Sequence, residues 1–302
     1  MSRVLFWDPA CQAPYDTDSV RDGASGGAEG SLSRIADAIG ASVVQHNRTF
    51  PSGRYLPPAA LPGITHVVVN RDVHAIPGVA AAYPGARIVL WVHDRIEPGS
   101  TRGRVLARSA HLLADAGARV VCVSDWQRQG VQAVLHGAGV HTVPVDTIYN
   151  PVSDALVPDG TPVDADKLVF FSSPNKGLSY ALDAFVALRR RFPSLRLVVG
   201  DPGYRRGEAP MVPGVFYAGP RPPSAMHADV RGALCTFFPN FVVPETFGLV
   251  FAESLALGTP VPFAEHGVGL AHPRCCAEVD PELPAVAHVP SLPAQRPRRG
   301  KG

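Results

Sequence analysis

Residues 87–123 read RIVLWVHDRIEPGSTRGRVLARSAHLLADAGARVVCV, a succession of one strand, one helix and a second strand. Arg87–Val92 and Arg119–Val123 are apolar runs of the kind found in strands that are covered on both faces. Between them, apolar residues recur at helical spacing over Thr101–Ala116. This order of elements predicts an α/β protein with a doubly wound parallel sheet.

The same alternation extends to both sides of this unit. Val4–Trp7 and His66–Asn70 are predicted strands, and a helical pattern between them ends at Gly40. After the second strand of the unit, Ser124 and Gln127 form a capping-box pattern that opens another helix. A short strand is expected near Tyr149. Residues 1–150 are therefore predicted to form an N-terminal Rossmann-like domain.

A second unit follows a break in periodicity. Residues 151–166, PVSDALVPDGTPVDAD, contain several turn formers and are predicted to be a linker. The alternation then restarts with a strand at Lys167–Ser172 and a helix at Leu178–Phe192, and it reaches a helix at Phe247–Leu257. Residues 167–270 are the predicted second Rossmann-like domain. Two such domains place a ligand cleft between the carboxyl ends of their sheets.

The last residues show no such alternation. Residues 271–302 contain repeated prolines, which interrupt helices and strands alike. We expect an irregular, largely disordered tail, a C-terminally truncated and incomplete second domain, exposed apolar surface and weak activity. The alternative is an irregular tail that is nevertheless packed.

Composition excludes several classes of protein. Hydrophobic residues make up 46% of the 302 residues and charged residues 18%, which is enough apolar material for buried cores. A formal net charge of +2 is too small to imply nucleic acid or an anionic membrane as an obligatory partner. The sequence shows neither a membrane-spanning run nor a signal peptide, and five cysteines do not make a disulfide scaffold. We therefore expect a cytoplasmic protein.

The strongest chemical signal is Pro244-Glu-Thr-Phe-Gly-Leu-Val-Phe-Ala-Glu253, in which two carboxylates, Glu245 and Glu253, stand eight residues apart. The predicted helix carries the second carboxylate about two turns from its start. Free amides and the positive dipole end at its N-terminus suit a diphosphate, and a glycine there lets an anion approach the backbone. The residues that present these amides are Phe247, Gly248 and Leu249. The alternative is an ordinary amphipathic helix with an exposed glutamate.

Two loops also suit phosphate groups. In Phe171-Ser-Ser-Pro-Asn-Lys-Gly177, small residues end a strand and Lys176 opens the next helix as a point charge. At the first strand-to-helix turn, Gly26 and Gly27 form a tight connection. The alternatives are a solvated lysine in the first loop and a purely structural turn in the second.

A histidine and an aspartate follow a predicted core strand. In Trp91-Val-His-Asp94, His93 ends the strand and Asp94 could orient it or an acceptor hydroxyl. A lone histidine in this position is more often structural. No metal site is expected, because Asp16-Thr-Asp18 and Asp164-Ala-Asp166 lie in turn-like segments and His272, Cys275 and Cys276 lack zinc-ligand spacing. A G-x-G-x-x-G turn, which an NAD enzyme needs, is missing after the first strand.

Together these blocks resemble family 4 retaining glycosyltransferases, which have the GT-B fold and an E-x7-E motif. The resemblance implies that residues 1–150 form the acceptor-side domain and residues 167–270 the donor-nucleotide domain. It also implies that Glu245 contacts the donor sugar hydroxyls and Glu253 the ribose. Lys176 matches the lysine of a sub-branch with an S-S-P-x-[R/K]-G run, whereas Phe171 stands where the family usually has an arginine. By the same resemblance, Gly26 and Gly27 close over the donor phosphates and His93 reaches the donor sugar, so that His93, Asp94 and Glu245 are the expected catalytic residues.

The resemblance implies transfer of a sugar from a nucleotide diphospho-sugar to an acceptor hydroxyl, with retention of anomeric configuration and without a metal or other cofactor. The sugar, the base and the acceptor are left open. One alternative is a weakly active or non-catalytic remnant that binds a nucleotide. Another is a different GT-B enzyme, such as a nucleotide-sugar epimerase or a phosphorylase.

Overall fold

A computed structural model gives the structure of the chain over residues 3–23, 26–201, 211–238 and 245–262. Its strands fall into two parallel sheets. The first contains β1 Val4–Asp8, β2 Ser42–Gln45, β3 Tyr55–Leu56, β4 His66–Asn70, β5 Arg87–Val92, β6 Arg119–Cys122 and β7 Val145–Thr147. The second contains β8 Asp164–Phe171, β9 Arg196–Asp201, β10 Val215–Pro220 and β11 Ala233–Thr236.

Helices connect the strands as the alternation predicts. They are α1 Thr17–Arg21, α2 Gly27–Ile39, α3 Ile76–Ala82, α4 Thr101–Asp115, α5 Asp125–Gly137, α6 Leu178–Arg191, α7 Pro223–Arg231 and α8 Leu249–Ala256. In the first unit α1 and α2 cover one face of the sheet and α3, α4 and α5 cover the other. In the second unit α6 and α7 lie on opposite faces. The predicted α/β class with two doubly wound units is confirmed.

The strand orders position the functional edge of each sheet. The first sheet runs β3-β2-β1-β4-β5-β6-β7 and the second β10-β9-β8-β11. The winding direction reverses between β1 and β4 in the first sheet, and between β8 and β11 in the second. Ligands of open parallel sheets bind outside the carboxyl ends of the strands at such switch points. The residues that leave these ends are therefore the ones to consider for function.

Several element boundaries differ from the predictions. β8 begins at Asp164, so Asp164 and Asp166 belong to a strand and not to a turn, because pairing with β11 and β9 overrides the weak local pattern. α8 begins at Leu249, because Gly248 has a left-handed φ of 86° and serves as its N-cap. Glu253 thus lies about one turn into the helix, where two were predicted. The predictions missed the short elements α1, β2, β3, α3 and α7.

The capping prediction at α5 is half right. The Ser124 hydroxyl accepts a hydrogen bond from the Gln127 amide, as a capping box requires. The Gln127 side chain, however, accepts from the Val123 amide and donates to the Asp94 carbonyl at 2.7 Å. It therefore fixes the loop after β5 as well as the start of α5.

No helix within the described ranges is both long and apolar enough to cross a membrane. The predictions for residues 271–302, and for an incomplete second domain, lie outside the described residues.

Candidate functional site

The N-termini of α2 and α8 meet between the two units. A β-carbon built on Gly27, the first residue of α2, would lie 2.9 Å from Cδ1 of Leu249, the first residue of α8. Neither N-cap, Gly26 or Gly248, offers a side chain to the first amides of its helix. Uncapped amides and two positive dipole ends therefore face one region, which is a favourable place for an anion.

The start of α8 requires a glycine at position 248. Its φ of 86° is a conformation that side chains rarely adopt, and a β-carbon on it would lie 2.6 Å from the Phe251 ring. The glycine thus sets the direction in which the chain enters α8 and keeps the first turn of the helix open.

Lys176 and Glu245 form an ion pair in the second unit. Lys176 ends a short 3-10 helix at Pro174–Lys176, and its Nζ donates to Glu245 Oε2 at 3.0 Å and lies 2.9 Å from Oε1. The geometry at Oε1 is that of an ion contact, since this buried oxygen accepts no hydrogen bond from the described residues. The glutamate side chain is 13% exposed and the lysine 36%. The cation is therefore the more accessible partner.

His93 connects the two units. Thr246 donates from Oγ1 to the His93 carbonyl at 2.7 Å, and the His93 ring lies 4.3 Å from the Trp91 ring between centroids. The Nε2 atom is buried and has no hydrogen-bond partner among the described residues. Burial and the charge of Arg71 lower the pKa of His93 to about 3. The imidazole is consequently neutral at neutral pH, with an unused ring nitrogen.

Asp94 lies beside His93 at the entrance of a pocket. Its carboxylate is 3.3 Å from Nη1 of Arg102 on α4, in a pair that solvent reaches. Its main-chain carbonyl is fixed by Gln127, as described above. The position of Asp94 is therefore set by its backbone and its side chain can reorient.

Glu253 meets a cation from the other unit. Arg34 of α2 places Nη2 3.3 Å from Glu253 Oε1 and donates from Nη1 to the Pro151 carbonyl at 3.3 Å. Burial raises the pKa of Glu253, and the Arg34 charge and hydrogen bond oppose that rise. One guanidinium thus joins α2, the linker and α8.

Phe247 also joins the units. Its ring lies 6.0 Å from the Tyr149 ring and packs against the core cluster on the α2 face of the first sheet. The side chain is therefore occupied by packing between the units. The backbone is therefore the part of Phe247 that is available to a ligand.

Arg71 is a functional candidate that the sequence analysis missed. It follows β4 with a φ of 64°, and it is the one non-glycine residue with a positive φ in the described part of the chain. Its Nη2 donates to Glu29 Oε1 at 2.5 Å, and its Nε is buried without a partner among the described residues. Burial lowers the pKa of Arg71, but Glu29, Asp8 and Asp94 outweigh that effect and raise it. A backbone held in this conformation at a strand end is often associated with function.

A pocket of about 440 Å³, including its open mouth, lies beside these residues. Its polar lining consists of Arg71, His93, Asp94 and Arg102, and its apolar walls come from β5 and α4. All of its lining residues belong to the first unit.

The predicted residues therefore form two groups. His93, Glu245 and Lys176 are joined through Thr246, and the glycine turn meets the N-terminus of α8, with Glu253 one turn behind.

The missed residues, Arg34, Arg71 and Thr246, differ in how they could have been found. Arg71 carried a signal, because it directly follows a predicted strand at the functional edge. Arg34 carried none, since its partner is 219 residues away. The described residues contain no cluster of three or more potential metal ligands among His, Cys, Asp and Glu.

No protein-family profile matches the chain. Among proteins of known function, it is 31% identical over 191 residues to a D-inositol 3-phosphate glycosyltransferase of Acidothermus cellulolyticus, covering 55% of this chain and 42% of that protein. It is 28% identical over 148 residues to a phosphatidyl-myo-inositol mannosyltransferase of Mycobacterium tuberculosis, covering 47% of this chain and 39% of that protein. The alignments span less than half the length of these relatives.

Solved structures extend the similarity of fold over most of the chain. Anabaena Alr3699/HepE in complex with UDP-glucose has a TM-score of 0.62 at 19% identity, covering 89% of this chain and 82% of that one. The α,α-trehalose 6-phosphate synthase of Burkholderia multivorans has a TM-score of 0.60 at 12% identity, covering 89% and 83%. The fold is that of GT-B glycosyltransferases, and about half of the chain is similar in sequence to glycosyltransferases.

Proposed function

We propose that the protein is a retaining, metal-independent glycosyltransferase that moves a sugar from a nucleotide diphospho-sugar to an acceptor hydroxyl. The observation that carries the proposal is the meeting of His93 from the first unit with the Glu245–Thr246 segment of the second. Relatives that are glycosyltransferases, and a neighbour of the same fold that holds UDP-glucose, support this choice of reaction and donor.

The diphosphate is proposed to lie at the paired N-termini of α2 and α8. The amides of both first turns, at Gly27 and Leu249, donate to its oxygens there, and the Lys176 ammonium neutralises charge. In this arrangement Lys176 leaves Glu245 and turns towards the phosphate. The freed Glu245 carboxylate then accepts hydrogen bonds from sugar hydroxyls, and Glu253 accepts from the ribose.

The reaction is proposed to break the bond between the sugar C1 and the diphosphate oxygen and to form a bond from C1 to the acceptor oxygen on the same face. Negative charge grows on the leaving diphosphate, where preorganised amides and Lys176 stabilise it. The acceptor proton passes to a leaving phosphate oxygen. The neutral His93 offers its imidazole to the donor sugar without adding a positive charge beside the cation-like sugar.

A thermal-shift screen of nucleoside diphosphates, followed by incubation with the matching nucleotide sugars, tests the proposal. At 100 times its dissociation constant, a bound nucleotide adds about 2.7 kcal/mol of stability. A transferase then releases free sugar slowly from its donor even without an acceptor. A non-catalytic remnant shows binding with no release, and an epimerase gives an isomerised donor. A phosphorylase leaves the nucleotide sugar intact and instead uses phosphate to cleave a glycoside. Each of these three results contradicts the proposal.

A further inference from the structure

The pocket beside His93 is lined by two arginine side chains to which the proposed transfer reaction assigns no role. Two guanidinium groups, those of Arg71 and Arg102, line it together with one carboxylate, that of Asp94. His93 adds no charge at neutral pH. Two guanidinium groups in one pocket indicate a site that recognises an anion.

The Arg71 guanidinium can bind a ligand in addition to Glu29. Its Nη2 is engaged by Glu29, whereas no described residue accepts a hydrogen bond from its Nη1. The side chain is 20% exposed and is among the residues that line the pocket. One edge of the guanidinium is therefore fixed by a carboxylate and the other is left for a ligand. A guanidinium held in this way suits the oxygens of phosphate.

Arg102 can supply the second contact. It lies at the start of α4 with a side chain that is 58% exposed, and its distance to Asp94 is 3.3 Å. Such a solvent-exposed pair is weak, so a stronger anion can draw Arg102 away from Asp94. Phosphate, with three terminal oxygens, can accept from two guanidinium groups that approach from different sides.

The location distinguishes the acceptor from the donor. All lining residues lie between Arg71 and Leu106, in the first unit, whereas Lys176, Glu245 and Glu253 belong to the second. His93 and Asp94, which line the pocket, are also the residues expected to lie beside the reacting sugar. We propose that the Arg71–Arg102 pocket binds a phosphate monoester on the acceptor, beside the hydroxyl that receives the sugar. The assignment of this ligand to the acceptor rests on the proposed function.

The experiment titrates small phosphorylated polyols and their neutral counterparts into protein that is saturated with UDP. Glycerol 3-phosphate with glycerol, and inositol 3-phosphate with inositol, are suitable pairs, and inorganic phosphate is the minimal probe. We expect the phosphorylated member of at least one pair to bind at least tenfold more tightly than its counterpart. Arg102→Gln should remove most of this preference and leave UDP affinity unchanged.

Arg104→Gln is the matched control. Arg104 lies on the same turn of α4, but its side chain donates hydrogen bonds to the Thr101 hydroxyl and the Gly99 carbonyl, and it is not among the described residues that line the pocket. The preference for phosphate should survive this change. Equal binding of both members of every pair, equal effects of the two substitutions, or loss of phosphate binding on saturation with UDP would each overturn the proposal. If UDP does not bind, the nucleoside diphosphate that binds in the thermal-shift screen replaces it. Failure of every nucleoside diphosphate to bind contradicts the proposed function instead, and the phosphate preference is then measured in nucleotide-free protein.

Discussion

Each of the two glutamates, Glu245 and Glu253, pairs with a cationic side chain. Lys176 pairs with the first and Arg34 with the second. In the proposed function, a bound nucleotide sugar replaces at least the Lys176–Glu245 pair with its own contacts to these two side chains. Lys176 is the accessible partner of its pair and the one whose charge a diphosphate attracts, so its role can be tested separately from that of Glu245.

Lys176→Ala should weaken UDP binding about ten- to a hundredfold, since hydrogen bonds to charged groups contribute about 1.5–3 kcal/mol. Uridine, which has no phosphate, should bind as it does to the unchanged protein. Calorimetric titration of the two ligands measures both values. Equal losses for both would show that Lys176 only maintains the loop.

The affinity for UDP should fall as the pH is lowered through the raised pKa of Glu253. Above that pKa the carboxylate is charged and accepts from the ribose hydroxyls, and below it protonation removes the charge. Glu253→Gln is the control, because it mimics the protonated form at every pH. We expect weaker binding by this variant and a flatter pH profile. An unchanged profile would remove Glu253 from the nucleotide site.

The residue-level predictions depended on local sequence and were limited by it. Glu245, Lys176 and His93 could be found because each stands at a strand end or a helix start within a recognisable pattern. The pairing of Glu245 with Lys176 could not be found in this way, because the two residues are 69 positions apart and are brought together by the strand order of the second sheet. The pairing of Arg34 with Glu253 depends in addition on contact between the two units.

At the scale of elements, the approach of α2 to α8 is the feature on which diphosphate binding depends. The absence of a side chain at Gly27 permits it. Long elements such as α4 and β5 were predicted well, because burial gives them regular apolar patterns. Short elements such as β3 and α1 were not, because two to five residues carry too little periodicity.

Gly27→Val should push the two helix N-termini apart and weaken UDP binding at least tenfold. Its side chain would collide with Leu249, whose Cδ1 lies 2.9 Å from the position of an added β-carbon. Gly30→Ala, in the same helix, is the control, because its β-carbon meets nothing closer than Val20 at 4.0 Å. That change should preserve binding and slightly raise stability. Calorimetry on both variants measures the effect, and equal affinities would contradict the role of this contact.

At the scale of the whole molecule, three of the side-chain contacts between the units, all within the described ranges, lie at the cleft. They are the Arg34–Glu253 ion pair, the hydrogen bond from Thr246 to the His93 carbonyl, and the packing of Phe247 on Tyr149. Sequence predicted the two units and the cleft from alternation alone. It could not predict these contacts, which depend on how the units are oriented.

Arg34→Gln should lower the free energy of unfolding by about 1–3 kcal/mol, because it leaves Glu253 buried without its cation. Chemical denaturation measures this value. Arg54→Gln is the matched control, since Arg54 pairs with Asp37 inside the first unit at similar exposure. We also expect small-angle scattering to show a more open particle for Arg34→Gln only. Identical scattering of the two variants would show that Arg34 does not hold the cleft closed.

The most direct test of sugar transfer is proton NMR of the purified protein with a hydroxyl acceptor and the nucleotide sugar whose diphosphate binds in the thermal-shift screen. The account predicts loss of the donor anomeric signal, release of the nucleoside diphosphate and a product of the same anomeric configuration, unaffected by a metal chelator. Glu245→Gln should slow this reaction at least a hundredfold while it still binds the nucleoside diphosphate. An inverted product, or equal turnover by the wild-type protein and Glu245→Gln, would contradict the account.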